Sequence, residues 1–596
     1  MRNYRRLWAV LAVGIVALVL EFGLHEARWA QWAVTAIGAV IALLMLLDMI
    51  KTLRSGSFGV DLLAITAVVA TMAVGEYWAG LIVLLMLTGG DALEDYAQHK
   101  ATRDLKQLLD QTPTVAHRDV NGVVTDIEAE AAAVGDTLIV KPGEVVPVDG
   151  VITAGTSLVN EASLTGESRP LEKGPGAALM SGTINGDVAL TMTVRKRAAD
   201  SQYQAIVRLV QESTAKPAHF VRMADRYAVP FTIVAYLIAG VAWWLSGDPV
   251  RLAQVLVVAS PCPLILAAPV GMVSGMSRAS RAGIIVKSGT TLEKLAVAKT
   301  IAFDKTGTIT QGVLAVADVL PAGDLSTTRL LQLAASVEQQ STHILARSLT
   351  HAVAAKDLLP ATAVREVTGA GVAAQVGGQA VKVGKADFAG APTKQATTAV
   401  YVSIDDQYAG AITFADVTRP EAKQTITRLH DLGLQHAIMI SGDSQTVADE
   451  VGQAVGIDRV YAHQLPADKI KVLDGLPAAQ RPAVMVGDGV NDAPALALAD
   501  VGIAMGAHGA TAASESADAV ILPDNLEKTA DAVVIAQDTM RIAKEAVWIG
   551  IGICTGLMLI AAGGVIPTIV GAMFQEVVDT VTILYALRAR NGRRTV

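Results

Sequence analysis

The stretch Ile301-Ala-Phe-Asp-Lys-Thr-Gly-Thr308 places a carboxylate, Asp304, directly after a short apolar run with the composition of a buried strand. A carboxylate at the end of a strand can attack a phosphoryl group and become an acyl-phosphate. Lys305 and the backbone amides that follow can balance the charge of that group, whose transfer requires Mg²⁺. A lone aspartate after a strand is commonly a helix cap, but the whole string is far more specific. The sequence therefore predicts a phosphorylated aspartate at position 304.

Three further polar segments fit the same chemistry. Val486-Gly-Asp-Gly-Val-Asn-Asp492 supplies two carboxylates, the oxygen ligands that Mg²⁺ prefers, although a pair of Asp-Gly turns is the alternative interpretation. Ser441-Gly-Asp443 follows another apolar run, and Lys469 lies in a short polar segment; both suit contact with phosphate and Mg²⁺. Short strands that alternate with helices and end in polar turns predict a doubly wound parallel sheet.

The composition indicates a protein that lies partly in lipid. Hydrophobic residues make up 52% and charged residues only 17% of the 596 residues, a balance unlike that of an ordinary soluble enzyme. The net charge of −8, with no basic face, argues against a nucleic-acid partner. Two cysteines exclude a disulfide framework.

Eight apolar stretches are long enough, or nearly so, to cross a bilayer, in a four-two-two arrangement. Lys and Arg concentrate at one set of ends, whereas opposite turns such as Gly75–Glu76 and Gly563–Gly564 carry almost none. By the positive-inside rule, both termini and both large loops are then cytoplasmic. The predicted spans are Leu7–Gly23, Trp29–Leu47, Phe58–Val74, Tyr77–Gly90, Val229–Leu245, Leu252–Val273, Ala546–Ala562 and Val565–Leu587.

Two spans carry residues suited to binding a metal. Two prolines in Ser260-Pro-Cys-Pro-Leu264 free backbone carbonyls, and such breaks are tolerated only where they line a cavity. Cys262 offers a soft thiolate, although a buried cysteine alone is commonly inert packing. The spacing of Gln575, Glu576 and Asp579 allows all three to share one helix face, the alternative being solvated residues near the interface. Ionisable residues within a span are functional candidates.

The first large loop contains short Val/Ile/Thr runs punctuated by Gly, Pro and Asp, which predicts a β-rich fold. Within it, Leu164-Thr-Gly-Glu-Ser168 is a polar turn with one acid, Glu167. A stable acyl-phosphate must be hydrolysed at a defined step of the cycle, and Glu167 is a candidate for the group that positions the water. Taken alone, the same segment is more typical of an ordinary turn.

Together, Thr165–Ser168, Asp304–Thr308, Ser441–Asp443 and Gly487–Asp492 resemble the signature strings of the P-type ATPases in order and spacing, over essentially the whole chain. The resemblance implies ATP and Mg²⁺ as cofactors. It also implies a multidomain membrane protein with an eight-helix α-helical transmembrane domain, a β-rich actuator domain, an α/β haloacid-dehalogenase-like phosphorylation domain and an inserted α+β nucleotide-binding domain. The implied segments are 1–90 (first four transmembrane helices), 91–215 (actuator domain with flanking helices), 216–290 (helices five and six), 291–312 with 411–530 (phosphorylation domain), 313–410 (nucleotide-binding domain) and 540–590 (helices seven and eight).

The same resemblance assigns roles to individual residues. The implied catalytic residues are Asp304, Glu167, Lys305, Thr306, Thr308, Thr165, Gly166, Asp443 and Lys469. The implied Mg²⁺ ligands are Asp304, Thr306, Asp488 and Asp492. The residues similar to those that bind nucleotide are Glu338, His343, Gly369, Gly371 and Gly384. His343 is followed by Ile344, where the family usually has proline.

The Cys-Pro string and the two extra leading spans resemble the heavy-metal-transporting branch of the family. The transported ion would then lie at Cys262, Ser260, Gln575, Glu576 and Asp579. A mixed set of thiolate, carboxylate and amide ligands favours a divalent ion over Cu⁺. The Ser-Pro-Cys string resembles the cobalt, zinc and cadmium group, whereas Gln-Glu-x-x-Asp resembles the nickel and cobalt group. We therefore expect ATP-driven transport, in the export direction, of a divalent transition metal of the Zn, Cd, Co or Ni class.

Three other functions share part of these features. Copper pumps of the same branch typically carry two cysteines in the Cys-Pro string, where this chain has Ser260. The ATP-hydrolysing subunit of a potassium-uptake complex predicts partner subunits and no Cys-Pro kink, so Cys262 argues against it. A membrane-tethered phosphatase would lack an actuator, so Thr165–Ser168 argues against it. The expected partners are membrane lipid and the metal ion, in the cell membrane, with no nucleic acid and no obligatory protein partner.

Replacing Glu167 tests its role in hydrolysis of the phosphoenzyme. Glu167→Gln is expected to accept phosphate from ATP but to lose about 10²-fold or more in turnover, because an amide cannot act as a general base. Phosphoenzyme should therefore accumulate when labelled ATP is added and the steady state is quenched with acid. A variant with normal steady-state ATPase activity would remove Glu167 from the mechanism.

Overall fold

The computed structural model describes residues 2–54, 62–101, 115–161, 170–201, 221–259, 262–341, 343–367, 369–395, 397–488, 492–506 and 516–592. The chain opens with four helices rich in Leu, Val, Ile and Ala, which are the residues expected at lipid-facing and helix-facing positions alike. They are α1 Arg2–Leu18, extended by a π-helical turn at Val19–Gly23, then α2 Ala27–Arg54, α3 Leu62–Ala73 and α4 Tyr77–Ala101.

The first large loop folds into two antiparallel sheets. A six-stranded sheet has the order β2-β1-β3-β9-β4-β7, and a three-stranded sheet has the order β6-β5-β8. Burial alternates along β3 and β9, as the two-residue period of a strand with one core-facing side requires. The strands are β1 Val115–Val120, β2 Val123–Glu128, β3 Thr137–Val140, β4 Gly150–Ala154, β5 Ser157–Asn160, β6 Leu171–Lys173, β7 Ala178–Leu179, β8 Ile184–Asn185 and β9 Leu190–Val194.

The next two spans are α5 Val221–Ser246 and a helix interrupted in its middle. Its first half is α6 Val250–Val258 and its second half is α7 Cys262–Arg281, so the break predicted around the prolines is present. Pro263 itself lies in the first turn of α7. Proline fits there because the amide hydrogens of a first turn have no helical partner.

The second large loop contains two sheets. In chain order its elements are β10 Ile284–Val286, α8 Gly289–Ala296, β11 Thr300–Asp304, β12 Thr310–Pro321, α9 Thr327–Val337, α10 Ile344–His351, β13 Ala361–Val367, β14 Gly371–Val376, β15 Gln379–Gly384, β16 Ala399–Ile404, β17 Gln407–Thr418, α11 Ala422–Asp431, β18 His436–Ile440, α12 Gln445–Val455, β19 Arg459–Tyr461, α13 Pro466–Asp474, β20 Ala483–Gly487, α14 Ala493–Leu498, β21 Val501–Met505 and β22 Ala519–Ile521.

The larger of these sheets has seven strands in the order β10-β22-β21-β20-β11-β18-β19. Its pairs are parallel except for β10 with β22. Every residue of β11, β20 and β21 is buried, as expected for parallel strands covered on both faces. The predicted doubly wound parallel sheet is confirmed.

Between β11 and α11 the chain forms an inserted antiparallel sheet with the order β12-β17-β16-β15-β14-β13. Helix α9 packs against β14 and β15, and Leu330, Leu333, Val381 and Val402 are fully buried in that core. The predicted limits of the domains, including 313–410 for this insert, stay predictions.

The chain ends with α15 Glu527–Ala562 and α16 Thr568–Ala586. Helix α15 has 36 residues and is therefore about 54 Å long at 1.5 Å per residue. It contacts α8 and α11 beside the parallel sheet and α6, α7 and α16 among the spans. One rigid element thus reaches from the parallel sheet into the apolar bundle.

By length and composition, five of the described helical segments can cross a membrane: Arg6–Gly23, Ala27–Leu47, Val229–Ser246, Glu527–Ala562 and Thr568–Arg590. Two shorter apolar helices, Leu62–Ala73 and Tyr77–Gly89, and the interrupted pair α6 and α7 occupy the remaining predicted spans. The predicted fold class, a helical membrane domain with a β-rich loop, a parallel α/β sheet and an inserted sheet, is confirmed.

Candidate phosphorylation site and membrane metal site

Asp304 lies at the carboxyl end of β11, an inner strand of the parallel sheet. Strand β11 pairs with β18 on one side and β20 on the other, so the turns after all three strands meet at one edge. Carboxylate oxygens of Asp304, Asp488 and Asp492 lie within 4.8 Å of one another. Asp304 is 8% exposed and Asp492 is 2% exposed. The structure thus brings together the three carboxylates that the sequence predicts at the Mg²⁺ site.

A single ammonium group joins two of these carboxylates. Lys469, buried on α13, donates to Asp304 Oδ1 at 2.5 Å and to Asp492 Oδ1 at 2.7 Å. Burial by itself lowers the pKa of Lys469, but the charges of Asp304 and Asp492 outweigh it and raise that pKa. Lys469 therefore remains charged and holds the carboxylates in place.

The carboxyl groups carry more negative charge than one ammonium can balance. Burial, followed by the charge of Asp492, raises the pKa of Asp304 to about 6. Burial and Asp492 also raise the pKa of Asp488 to about 6. A hard divalent cation among these oxygens would offset that repulsion, so the residues fit Mg²⁺.

The loop after Asp304 approaches these carboxylates closely. Gly307 has a φ of +74°, which favours glycine, and a Cβ atom on it would lie 1.6 Å from Asp488 Oδ2, so any side chain there would have to displace the Asp488 carboxylate. Thr308 is fully buried, and its Oγ1 has no hydrogen-bond partner among the described residues. Thr306 is exposed to solvent. A buried hydroxyl with unused bonding capacity, four residues after Asp304, suits a bound phosphoryl oxygen.

Lys305 faces the turn after the neighbouring strand β18. Its Nζ lies 2.8 Å from Asp443 Oδ2 and 3.8 Å from Asp416 Oδ2. Burial alone would raise the pKa of Asp443, but hydrogen bonds from Lys305 and Ser441 outweigh it and lower that pKa. The predicted catalytic pair Lys305 and Asp443 is thus in direct contact.

Sequence reasoning missed Arg419, a buried residue at the start of the return from the inserted sheet. Its guanidinium donates to the backbone oxygens of Thr308 at 2.9 Å and Gly307 at 3.0 Å, and it pairs with Asp524. It therefore fixes the loop that follows Asp304. Nothing near Arg419 in the sequence indicates this contact, because the residues it holds are more than 100 positions away.

The five predicted nucleotide-binding residues line one cavity. The cavity has a volume of about 320 Å³ and lies at the inserted sheet; its lining includes Glu338, His343, Gly369, Gly371 and Gly384. A Cβ atom on Gly371 would lie 2.2 Å from Val383 O and one on Gly384 would lie 2.2 Å from Ala370 O, so both glycines are needed for the backbones to approach.

Two polar groups at this cavity have defined surroundings. Burial raises the pKa of Glu338 to about 7. His343 is the N-cap of α10, and its Nδ1 accepts from Leu345 N at 3.3 Å. Ile344 occupies the first position of that helix, which also favours proline. The departure from the family pattern therefore leaves the helix start intact.

The predicted dephosphorylation residues Thr165, Gly166 and Glu167 lie outside the described residues, in the segment 162–169 between β5 and β6. An ion pair between the buried Glu161 and Lys173 links the residues that precede this segment to those that follow it.

In the membrane-spanning part, α7 begins at Cys262, but Ser260 and the Cys262 side chain lie outside what the structure describes. Gln575 and Asp579 are 0% and 6% exposed, and Gln575 Nε2 donates to Asp579 Oδ1 at 2.7 Å. Glu576 is half-buried, because it is rotated by about 100° from Gln575 on the helix. Two of the three predicted polar residues of α16 thus form one buried pair.

Comparison with known proteins agrees with this geometry. The family model of the P-type ATPase actuator domain matches residues 110–211, and that of the haloacid dehalogenase-like hydrolases matches residues 298–500. A zinc-transporting ATPase of Synechocystis sp. is 35% identical over 566 residues, which cover 90% of this chain and 77% of the relative. A cadmium, zinc and cobalt-transporting ATPase of Bacillus subtilis is 33% identical over 559 residues, which cover 90% of this chain and 79% of the relative.

Solved structures agree over almost the whole chain. A crystal structure of a zinc-transporting PIB-type ATPase has a TM-score of 0.66 and 28% identity, covering 99% of this chain and 100% of that one. A second crystal structure of a zinc-transporting PIB-type ATPase, in a different state, has the same TM-score and 27% identity, covering 98% of this chain and 99% of that one. Because the identity, the coverage and the converging carboxylates all agree, the chain belongs to the P-type ATPases, and within them to the heavy-metal-transporting branch that carries divalent cations.

Proposed function

We propose that this chain exports a divalent transition metal of the Zn, Cd, Co or Ni class, using ATP and an aspartyl-phosphate at Asp304. The single observation that carries the proposal is the cluster of Asp304, Asp488 and Asp492 bridged by Lys469. The names of the relatives, which include zinc, cadmium and cobalt, support a divalent cargo.

Phosphorylation follows from the contacts around Asp304. A carboxylate oxygen of Asp304 attacks the γ-phosphorus of ATP, the bond from that phosphorus to the bridging oxygen breaks, and ADP leaves. Lys469 keeps Asp304 oriented, while Arg419 and Gly307 hold the loop that faces the transferred group. Mg²⁺, when bound by Asp304, Asp488 and Asp492, would supply positive charge to the transferred phosphoryl group. Thr306 is the further ligand that the family resemblance implies.

We assign the cavity of about 320 Å³ at the inserted sheet to the adenine end of ATP. Its glycines bring the backbone segments that line the cavity close together, and Glu338, with its raised pKa, is available as a hydrogen-bonding group. The five residues Glu338, His343, Gly369, Gly371 and Gly384 would act together there.

Two continuous connections link the Asp304 site to the spans. Helix α7, which begins at Cys262, leads within a few residues into β10 at the edge of the parallel sheet. Helix α15 packs against α8 and α11 beside that sheet and continues into the membrane-spanning bundle. A change at Asp304 that shifts the sheet is therefore carried to both helices.

For the transported ion we propose the buried pair Gln575 and Asp579, with Cys262, Ser260 and Glu576 as the other predicted ligands. An ionisable residue buried within a membrane-spanning segment is a functional candidate, and Asp579 is 6% exposed. The clustering of Lys and Arg at one set of span ends supports a cell-membrane location with both termini in the cytoplasm.

The direct test of the proposed function is ATP hydrolysis by the purified full-length protein with a panel of metal ions. Zn²⁺, Cd²⁺, Co²⁺ or Ni²⁺ should stimulate activity, and Asp304→Asn should abolish both activity and the acid-stable, hydroxylamine-sensitive phosphoenzyme, because an amide is not a nucleophile here. Undiminished labelling of Asp304→Asn would contradict the mechanism, and stimulation by Cu⁺ alone would favour a copper pump.

Lys469→Gln is expected to slow phosphoenzyme formation by about 10²-fold, because Asp304 and Asp492 would lose the charge that holds them. The rate is measured by rapid quench with labelled ATP. Lys471→Gln is the matched control: Lys471 lies on the same helix, is exposed and pairs only with nearby Asp468 among the described residues. Equal rates for both variants would show that the contacts of Lys469 are not used in catalysis.

Asp579→Ala is expected to abolish metal stimulation, and Glu576→Ala to weaken it less, because Asp579 is buried and Glu576 only half-buried. Loss of a ligand from a dehydrated site leaves the cation charge unbalanced. Phosphorylation from inorganic phosphate, which needs Asp304 but no transported ion, serves as the folding control. Normal metal stimulation in both variants would place these carboxylates outside the transport site.

A further inference from the structure

The second cysteine of the chain lies beside the buried polar pair of the last span. Cys554 is on α15, is 1% exposed, and its thiol donates to Gln575 Oε1 across 3.5 Å. The other end of the Gln575 amide donates to Asp579 Oδ1 at 2.7 Å. A thiol, an amide and a carboxylate, contributed by two helices, thus form one continuous buried cluster.

This cluster is unusual for its surroundings. The neighbours of Cys554 on the inner face of α15 are apolar and fully or almost fully buried, including Val547, Met558 and Ala561. Polar groups buried together in a membrane-spanning region are expensive and mark functional sites. All three side chains of the cluster are ligand types for transition metals, and the thiol is the softest of them.

The cluster lies at the depth of the break in the sixth span. Gly571 is one helical turn before Gln575, and a Cβ atom on it would lie 2.9 Å from Val258 Cγ1. Val258 is the last residue of α6, immediately before the break. Because α15 and α16 both pack against α6 and α7 as well as against each other, the cluster lies among the helix halves that flank the break.

We propose that Cys554 is a ligand of the transported ion, together with Gln575 and Asp579; this inference rests on the proposed transport function. The thiolate of Cys554 and the carboxylate of Asp579 would supply negative charge to a divalent cation that loses its water in an apolar span. As the bond from sulfur to the metal forms, the thiol proton is released to water. The amide oxygen of Gln575 then faces the ion instead of the thiol.

A purely structural role for Cys554 predicts something different. If the thiol only packs and donates to Gln575, serine would replace it, because serine has a similar shape and donates a stronger hydrogen bond. If the sulfur binds the ion, serine would fold normally but bind soft cations poorly. Cys554→Ser therefore separates the two roles, and Thr555→Val, which removes a hydroxyl at the next position, is the matched control.

The first experiment measures the metal concentration that gives half-maximal ATPase activity in the full-length protein. Cys554→Ser should raise this concentration about tenfold or more for Cd²⁺, and less for Co²⁺, which accepts oxygen ligands more readily. Phosphorylation from inorganic phosphate and the Thr555→Val values should match wild type. Unchanged values for Cys554→Ser would overturn the inference alone, whereas a wild-type protein that no metal stimulates would overturn the proposed function as well.

The second experiment detects the bond between sulfur and metal by absorption spectroscopy and does not depend on ATP turnover. Co²⁺ bound to a thiolate has a sulfur-to-metal charge-transfer absorption, and Cys262→Ala leaves Cys554 as the only thiol of the chain. We expect this band to persist in Cys262→Ala and to weaken in Cys554→Ser. A Cys262→Ala protein that still binds Co²⁺ and takes phosphate from inorganic phosphate, yet has no such band, would overturn the inference even if Cys554→Ser fails to fold.

Discussion

The ammonium group of Lys469, placed between Asp304 and Asp492, is the interaction on which the rest of the site depends. Three carboxylates that converge at the end of a buried strand repel one another, and burial makes the repulsion stronger. Lys469 offsets part of this negative charge. The negative charge that remains on the carboxylates favours the binding of Mg²⁺. The sheet order brings the carboxylates together, whereas Lys469 arrives from a separate helix.

A related problem recurs among the spans, where Cys554, Gln575 and Asp579 are polar groups in an apolar bundle. Each cluster is stable only when its polar groups have partners. Helices α7 and α15 connect the two regions without a flexible linker.

The inserted sheet forms a cavity of its own, lined by the residues predicted to bind nucleotide. Its glycines bring backbone segments close together at one cavity, and His343 is the N-cap of the helix that starts at Ile344. The substitution of isoleucine for the usual proline is tolerated because a first-turn residue needs no amide partner inside the helix. Arg419, on the return from the insert, fixes the loop after Asp304.

Local patterns in the sequence determined the apolar spans, the strand before Asp304, the polar strings at strand ends and the interruption between α6 and α7, because each depends on neighbouring residues only. Helical spacing placed Gln575 and Asp579 one turn apart, but only burial in the folded bundle separated them from Glu576. Arg419, Asp416 and Cys554 were not predicted. Their contacts join residues far apart in the chain, since sheet order and helix packing, rather than local sequence, decide which distant side chains meet.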